Sequence, residues 1–164
     1  MIPTPTPPLW VQKFGGTSVA TPERIRNVAR RIADTKKAAD RNLIVVVSAM
    51  GATTDELIRL AGQVASSGKP PPQREMDMLL STGERIAMAL LSIALADLDV
   101  PAVSFTGSQS GIITDTHHGR ARIIQILGDR LRSVLTERKV AIVAGFQGVS
   151  RTKEITTLGR GGSD

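Results

Sequence analysis

The chain has 164 residues, 41% of them hydrophobic, with a mean hydropathy of +0.00, enough for one domain with a real core. It has no cysteine, which excludes disulfides and thiolate metal centres and fits a reducing compartment. The formal net charge of +6 admits a nucleic-acid or small-anion partner, but one Trp, three Phe and no Tyr are too few aromatics for a base-stacking surface.

Residues 1–8 (MIPTPTPP) lack the basic and apolar regions of a signal peptide and read as a disordered Pro/Thr-rich start, so the folded part is expected to span 9–164. Leu9–Phe14 reads as a strand that ends in Gly15-Gly16. Thr21-Pro22-Glu23 reads as a helix start, with Thr capping and Pro at the first helical position. Ile25, Val28, Ala29 and Ile32 give that helix one apolar stripe, and the cations between Arg24 and Arg41 read as its solvated face. Leu43–Ser48 is a β-branched run typical of a strand buried on both faces. Leu57, Leu60, Ala61 and Val64 mark a second amphipathic helix, stopped by Ser67-Gly68 and Pro70-Pro71-Pro72.

Arg74–Leu98 reads as a long helix, apolar nearly all round in its second half and therefore buried. Its longest apolar stretch, Ile86–Leu98, falls short of the roughly 20 residues that span a bilayer, so the protein is expected to be cytoplasmic. Ala102–Phe105 is a short strand, and Thr106–Gly119 is a loop with room for a small hairpin through Ile112-Ile113. Ile124, Leu127, Leu131, Val134 and Leu135 form a further helical stripe. Val140–Ala144 is a fully apolar strand, and Ile155–Leu158 a short one. This alternation predicts an α/β fold, a three-layer αβα sandwich with a mainly parallel sheet in which the strands near 9–14, 43–48 and 140–145 are central. Ligands of such sheets bind beyond the carboxyl ends of the strands, where Gly15-Gly16, Gly51, Gly107 and Gly145 fall. The chain stops at Asp164 on a turn that reads as the start of a helix, so it is expected to be a piece of a longer chain.

Four segments carry residues suited to chemistry. In Lys13-Phe14-Gly15-Gly16-Thr17-Ser18 a strand delivers a Lys to a glycine turn followed by two hydroxyls: a phosphate cradle by its parts, or a plain tight turn with an exposed Lys. It is not the Walker pattern, in which Lys follows the glycines. Ser48–Asp55 is a hydroxyl-rich turn in which Thr53 or Thr54 is expected to cap the next helix. In Ser81-Thr82-Gly83-Glu84-Arg85, a glycine inside a helix costs about 1 kcal/mol. Glu84 beside the most apolar part of the helix is expensive without a partner. Both features make sense if Gly83 admits a ligand and Glu84 meets a positive group; the alternative is a salt bridge to an Arg of the same chain. Gly159-Arg160-Gly161-Gly162-Ser163-Asp164 offers a fork-shaped cation for a carboxylate or phosphate, or is a flexible tail. His117-His118 lacks metal-site spacing and is assigned no role; no metal ligands are expected.

KFGGTSV (13–19), SAMG (48–51), STGE (81–84), TGSQSGIITD (106–115) and TTLGRGGSD (156–164), in this order, resemble the motifs of the aspartate kinases, members of the amino-acid kinase family. Each motif is weak alone; the ordered set is specific and covers the chain from about residue 10 on. The resemblance implies transfer of a phosphoryl group from ATP, with Mg²⁺, to the side-chain carboxylate of L-aspartate, giving 4-phospho-L-aspartate, the first step of lysine, threonine and methionine biosynthesis. Lys13 and the turn Phe14-Gly15-Gly16-Thr17-Ser18, with Gly161 and Gly162, are implied to contact the ATP phosphates, and Glu84 the ammonium group of aspartate. Arg160 is implied to hold the α-carboxylate, Ser48, Thr54 and Ser163 to add hydrogen bonds, and Asp164 to keep the active-site Lys13 in position. Aspartate and ATP are the expected partners, with neither nucleic acid nor membrane, and the full-length parent is expected to be a homo-oligomer. The family continues into a nucleotide-binding part and regulatory ACT domains that this chain lacks, so the chain alone is expected to be inactive. A glutamate or carbamate kinase, and a non-catalytic anion- or nucleic-acid-binding domain, are the alternatives.

Overall fold

A computed structural model describes residues 7–38 and 41–159 of the protein; Arg160, Gly161, Gly162, Ser163 and Asp164 lie outside the described residues, as do residues 1–6 of the Pro/Thr-rich start. The elements run β1 (Leu9–Phe14), a 3-10 turn (Gly16–Val19), α1 (Pro22–Ala38), β2 (Asn42–Val47), α2 (Thr53–Val64), α3 (Gln73–Ala96), β3 (Ala102–Phe105), β4 (Ile112–Thr114), β5 (Ile123–Ile126), α4 (Asp129–Thr136), β6 (Val140–Ala144), β7 (Gln147–Ser150) and β8 (Ile155–Thr157).

β1, β2, β6 and β3 form a parallel sheet in the order β1-β2-β6-β3. One face packs on α1 and α3: Ile25, Val28 and Ile32 meet Leu43, Val45 and Val47 of β2, with Leu91 and Leu95 of α3 and Ile142 of β6 completing the cluster. On the other face Leu131, Val134 and Leu135 of α4 close over Ile44, Val103, Phe105 and Ala141. The result is the three-layer α/β sandwich expected from the uninterrupted apolar strands. β6 is buried along its whole length because helices cover it on both sides. α1 starts as the sequence indicates, with the Arg24 amide donating to Thr21 Oγ1 at 3.2 Å.

Several expectations need correction. β1 is an edge strand within the described residues, pairing with β2 alone, and Leu9, Trp10 and Val11 are exposed. Part of that edge is covered by the Arg41 guanidinium, 3.7 Å from the Trp10 ring centroid. α2 has the expected stripe but no buried residue; Leu60 and Val64 face an apolar groove of about 450 Å³, with Pro71, Met76 and Leu79 on its other wall. α3 buries one face only: Ala87, Leu91 and Leu95 reach the core, whereas Ile86, Leu90 and Ile93 form an exposed stripe. By length and composition this 24-residue helix could cross a membrane, which Ile86–Leu98 alone could not. Its packing on the sheet and its two buried carboxylates, Asp77 and Glu84, make it a core helix.

The helix expected to begin near Ile124 starts only at Asp129, and Ile123–Ile126 is strand β5. Gly128 takes φ +69°, which separates the two elements, and the Leu127 amide donates to the carbonyl of Gly111, itself at φ +79°. β5 pairs antiparallel with β4, so the hairpin through Ile112-Ile113 extends into a second sheet, ordered β5-β4-β7-β8. β7, to which the sequence assigns no strand, supplies its third strand. Glycines allow the close approaches that join the two sheets: a Cβ on Gly107, just after β3, would sit 2.1 Å from the carbonyl oxygen of Gln147 in β7.

That contact is with backbone and has no flexible end to yield. Gly107→Ala should therefore destabilise the protein by about 3 kcal/mol, at the upper end of the cost of overpacking. Urea unfolding measures it, and a change below about 0.5 kcal/mol, the usual scatter of neutral substitutions, would show that the junction is not tight.

Candidate functional site

At the carboxyl ends of β1, β2 and β6 lies a cleft of about 550 Å³, open on one side and walled by α2, α3 and the second sheet. Lys13, Gly16, Ser48, Thr54 and Glu84 line it, together with Asp77, Gly119, Phe146 and Thr157.

The floor consists of two turns laid side by side. The Ser48 amide donates to the Phe14 carbonyl at 3.1 Å, and the Gly51 amide to the Gly16 carbonyl at 3.0 Å. A Cβ on Gly16 would stand 2.8 Å from the Ala49 carbonyl oxygen, so this approach requires glycine. Gly15 is different: no described atom lies within 4 Å of an added Cβ, so packing does not account for it. Along β1 the side chains alternate, sending Phe14 into the core and Lys13 into the cleft. Thr17 and Ser18 are exposed on the 3-10 turn, away from the cleft lining. Their backbone is engaged locally, Ser18 donating to the Gly15 carbonyl and Arg24 to that of Thr17.

α3 supplies the acidic wall. Glu84 is 3% exposed. Its Oε1 accepts from the Ala49 amide at 3.2 Å, while Oε2 is buried without a hydrogen-bond partner among the described residues. Burial pushes its carboxyl pKa up to about 7, against the smaller opposing pull of backbone amides. No described Arg pairs with it. Gly83 does not admit a ligand as the sequence suggested. A Cβ there would lie 2.8 Å from the Ala49 Cβ, so the glycine lets α3 close on the 48–53 turn and brings Glu84 within reach of the Ala49 amide. Neither Thr53 nor Thr54 caps α2: the N-cap is Ala52, with no side-chain cap, and Thr54, half-buried in the first turn, borders the cleft.

Sequence reasoning missed Asp77, Gln147 and Thr157. Asp77 is fully buried and accepts from His118 Nδ1 at 2.6 Å, the Gly119 amide at 3.0 Å and Thr157 Oγ1 at 2.5 Å. Gln147 Nε2 donates to the Ser81 carbonyl at 2.9 Å. The signal was present: Asp77, Ser81 and Glu84 fall at i, i+4 and i+7, one polar line along a helix otherwise chosen for burial.

The profile of the amino acid kinase family matches residues 8–164. The aspartokinase of Mycolicibacterium smegmatis is 58% identical over 157 residues, 95% of this chain but 36% of that protein, so the chain spans about a third of the length of this curated relative. Among solved structures, aspartate kinase from Synechocystis superposes with a TM-score of 0.77 at 52% identity, over 94% of this chain and 24% of that one. E. coli aspartokinase III, solved with lysine and aspartate, superposes with a TM-score of 0.79 at 25% identity, over 95% of this chain and 44% of its own. The overall fold is thus shared with these enzymes, and the chain belongs to the amino acid kinase family.

Proposed function

We propose that the protein to which this chain belongs is an aspartate kinase, which transfers the γ-phosphoryl group of ATP to the side-chain carboxylate of L-aspartate and releases ADP. The observation that carries this reading is Glu84: a buried acid with one oxygen fixed and the other unpartnered among the described residues, in the same cleft as Lys13. A half-satisfied buried carboxylate suits an incoming ammonium group, which restores the interactions that burial removes. The likeness to aspartokinases supports the choice of amino acid.

An ionised carboxylate attacks phosphorus without a general base, so catalysis consists of positioning and charge neutralisation. Lys13 and the amides of the Gly15-Gly16 turn would face the transferring phosphoryl group, and the open space around Gly15 leaves room for phosphate oxygens. Glu84 would fix the ammonium group, with Ser48 and Thr54 bordering the bound amino acid. Arg160 and Ser163 are assigned to its α-carboxylate, Gly161 and Gly162 to phosphate, and Asp164 to holding Lys13. Among the described residues no group of three or more His, Asp or Glu is placed to hold a metal ion. Magnesium would be carried by the nucleotide phosphates, its usual ligands in kinases. On this reading the present residues form the amino-acid and phosphate side of the site. The base and ribose are gripped by the nucleotide-binding remainder of the full-length chain, a cytoplasmic homo-oligomer for which the exposed stripe Ile86, Leu90 and Ile93 is a candidate contact. The 164-residue chain alone should give no turnover in a coupled ADP assay, and turnover near the full-length rate would refute this division of labour.

Glutamate and carbamate are the competing acceptors, and a phosphotransfer assay of the full-length protein with all three decides between them; preference for either competitor would overturn the assignment. In the same protein, Lys13→Ala should lower kcat by about 100-fold, the scale of removing one charge-stabilising donor, with little change in the KM for aspartate. A change in KM alone would refute that role.

Glu84 gives a prediction in pH. Only its carboxylate form binds an ammonium group, and that form appears as pH rises through about 7. kcat/KM for aspartate should therefore climb with pH up to about 7 and level off above it. Glu84→Gln should abolish this rise and lower kcat/KM by roughly 100-fold. The stability sign is opposite. The folded state holds the proton more tightly than the unfolded one, so stability falls as pH rises from the ordinary value of 4.5 towards 7. Glu84→Gln should thus raise the melting temperature of the ligand-free protein above pH 7 and leave it unchanged near pH 4. A variant destabilised at pH 8 would mean that Glu84 has a structural partner instead.

A further inference from the structure

α3 buries two carboxylates seven residues apart on one face, and they differ in one respect. Among the described residues Glu84 keeps an oxygen unpartnered, whereas both oxygens of Asp77 are hydrogen-bonded. A carboxylate offers about four lone-pair positions. Three donors reach those of Asp77: His118 Nδ1 at 2.6 Å, Thr157 Oγ1 at 2.5 Å and the Gly119 amide, shared between both oxygens at 3.0 and 3.2 Å. Both oxygens of Asp77 are therefore already held by protein donors, although it lines the cleft. Two of its donors, Gly119 and Thr157, line the cleft as well. The turn that carries His118 and Gly119 is tied to β8 a second time, by the Ala121 amide donating to the Thr157 carbonyl at 2.9 Å.

We infer that Asp77 is a positioning residue for the amino-acid substrate: through Thr157 and the 118–119 turn it fixes the cleft wall across from Glu84. This rests on the aspartate kinase reading above. Apolar contacts would hold α3 against β8 without the desolvation cost of a buried carboxylate, but they are not directional. Hydrogen bonds to an ionised acceptor set distance and angle together. They act here at the end of β8, three residues before Arg160, to which the substrate carboxylate is assigned. A wall displaced by a fraction of an ångström should weaken amino-acid binding and leave the phosphate side, built on β1 and β2, untouched.

The test uses the full-length protein with aspartate and ATP-Mg²⁺. Thr157→Val keeps the shape and removes one bond to a charged acceptor. It should raise the KM for aspartate about tenfold, the size of one such bond, with the KM for ATP unchanged. Thr157→Ser, which keeps the hydroxyl, should restore the wild-type value. An unchanged KM for aspartate, or an equal rise in both KM values, overturns the inference. Should Thr157→Val fail to fold, His118→Ala, at a partly exposed ring, decides by the same criterion, with an expected rise of about fivefold. Absence of aspartate phosphorylation by the wild type would sink the functional reading alone. Amide hydrogen exchange then judges the wall. Thr157→Val should speed exchange at Gly119 and Ala121 about tenfold but not at Val45 in β2, and unchanged exchange at Gly119 and Ala121 overturns the inference.

Discussion

A polar line on a core helix has to be answered by its neighbours, and much of this molecule is arranged to answer one. Asp77, Ser81 and Glu84 lie along a single face of α3, and all three are buried. Leaving such groups unbonded costs several kcal/mol each in an apolar setting, so each demands a donor at a fixed place. Asp77 takes its donors from the 118–119 turn and β8, and Glu84 takes the Ala49 amide beyond β2, while the Ser81 hydroxyl donates to the Met78 carbonyl within α3 and the Ser81 carbonyl accepts from Gln147 of β7. The two sheets share no strand, and these bonds tie both to one helix. Apolar packing brings α3 to the parallel sheet through Leu91 and Leu95. The polar line determines which turn of the helix meets which loop.

Small residues make those meetings possible. Gly16 and Gly83 both face Ala49, one beside its carbonyl oxygen and the other beside its Cβ. The 48–51 turn is thus pressed between the end of β1 and α3, which puts Lys13 and Glu84 on the same cleft without any contact between them having to be made. Here the link from sequence to function runs through glycine as absence of volume. In contrast, the glycines with positive φ, such as Gly51 and Gly128, serve the path of the backbone.

The parallel sheet was legible because burial on both faces removes polar alternation: LIVVV and VAIVA admit few other readings. Lys13 and Glu84 were legible as residues that packing alone does not explain. Three features were not. β7 carries Gln147 and Gly148, which resemble a turn; its burial comes from Ser81 and Thr114, distant in sequence. Ile123–Ile126 with Leu127 fits a helical stripe as well as a strand, and the choice falls to Gly128 and to pairing with β4. The apolar stripe of α2 signals a helix correctly but not what covers it. Asp77 escaped notice because no motif signalled it, although its spacing from Glu84 did.

The two buried acids of α3 also differ in how far their neighbours satisfy them. Burial alone does not separate them, since both are removed from water. The count of donors does. With both oxygens bonded from three neighbouring residues, Asp77 has less to gain from a further partner than Glu84. Among the described residues Glu84 has one amide donor and one unpartnered oxygen, and burial disfavours its charged form. On the aspartate kinase reading, stability and recognition are divided along one helix: the acid with both oxygens bonded orders the wall, and the half-bonded acid is left for the substrate ammonium group.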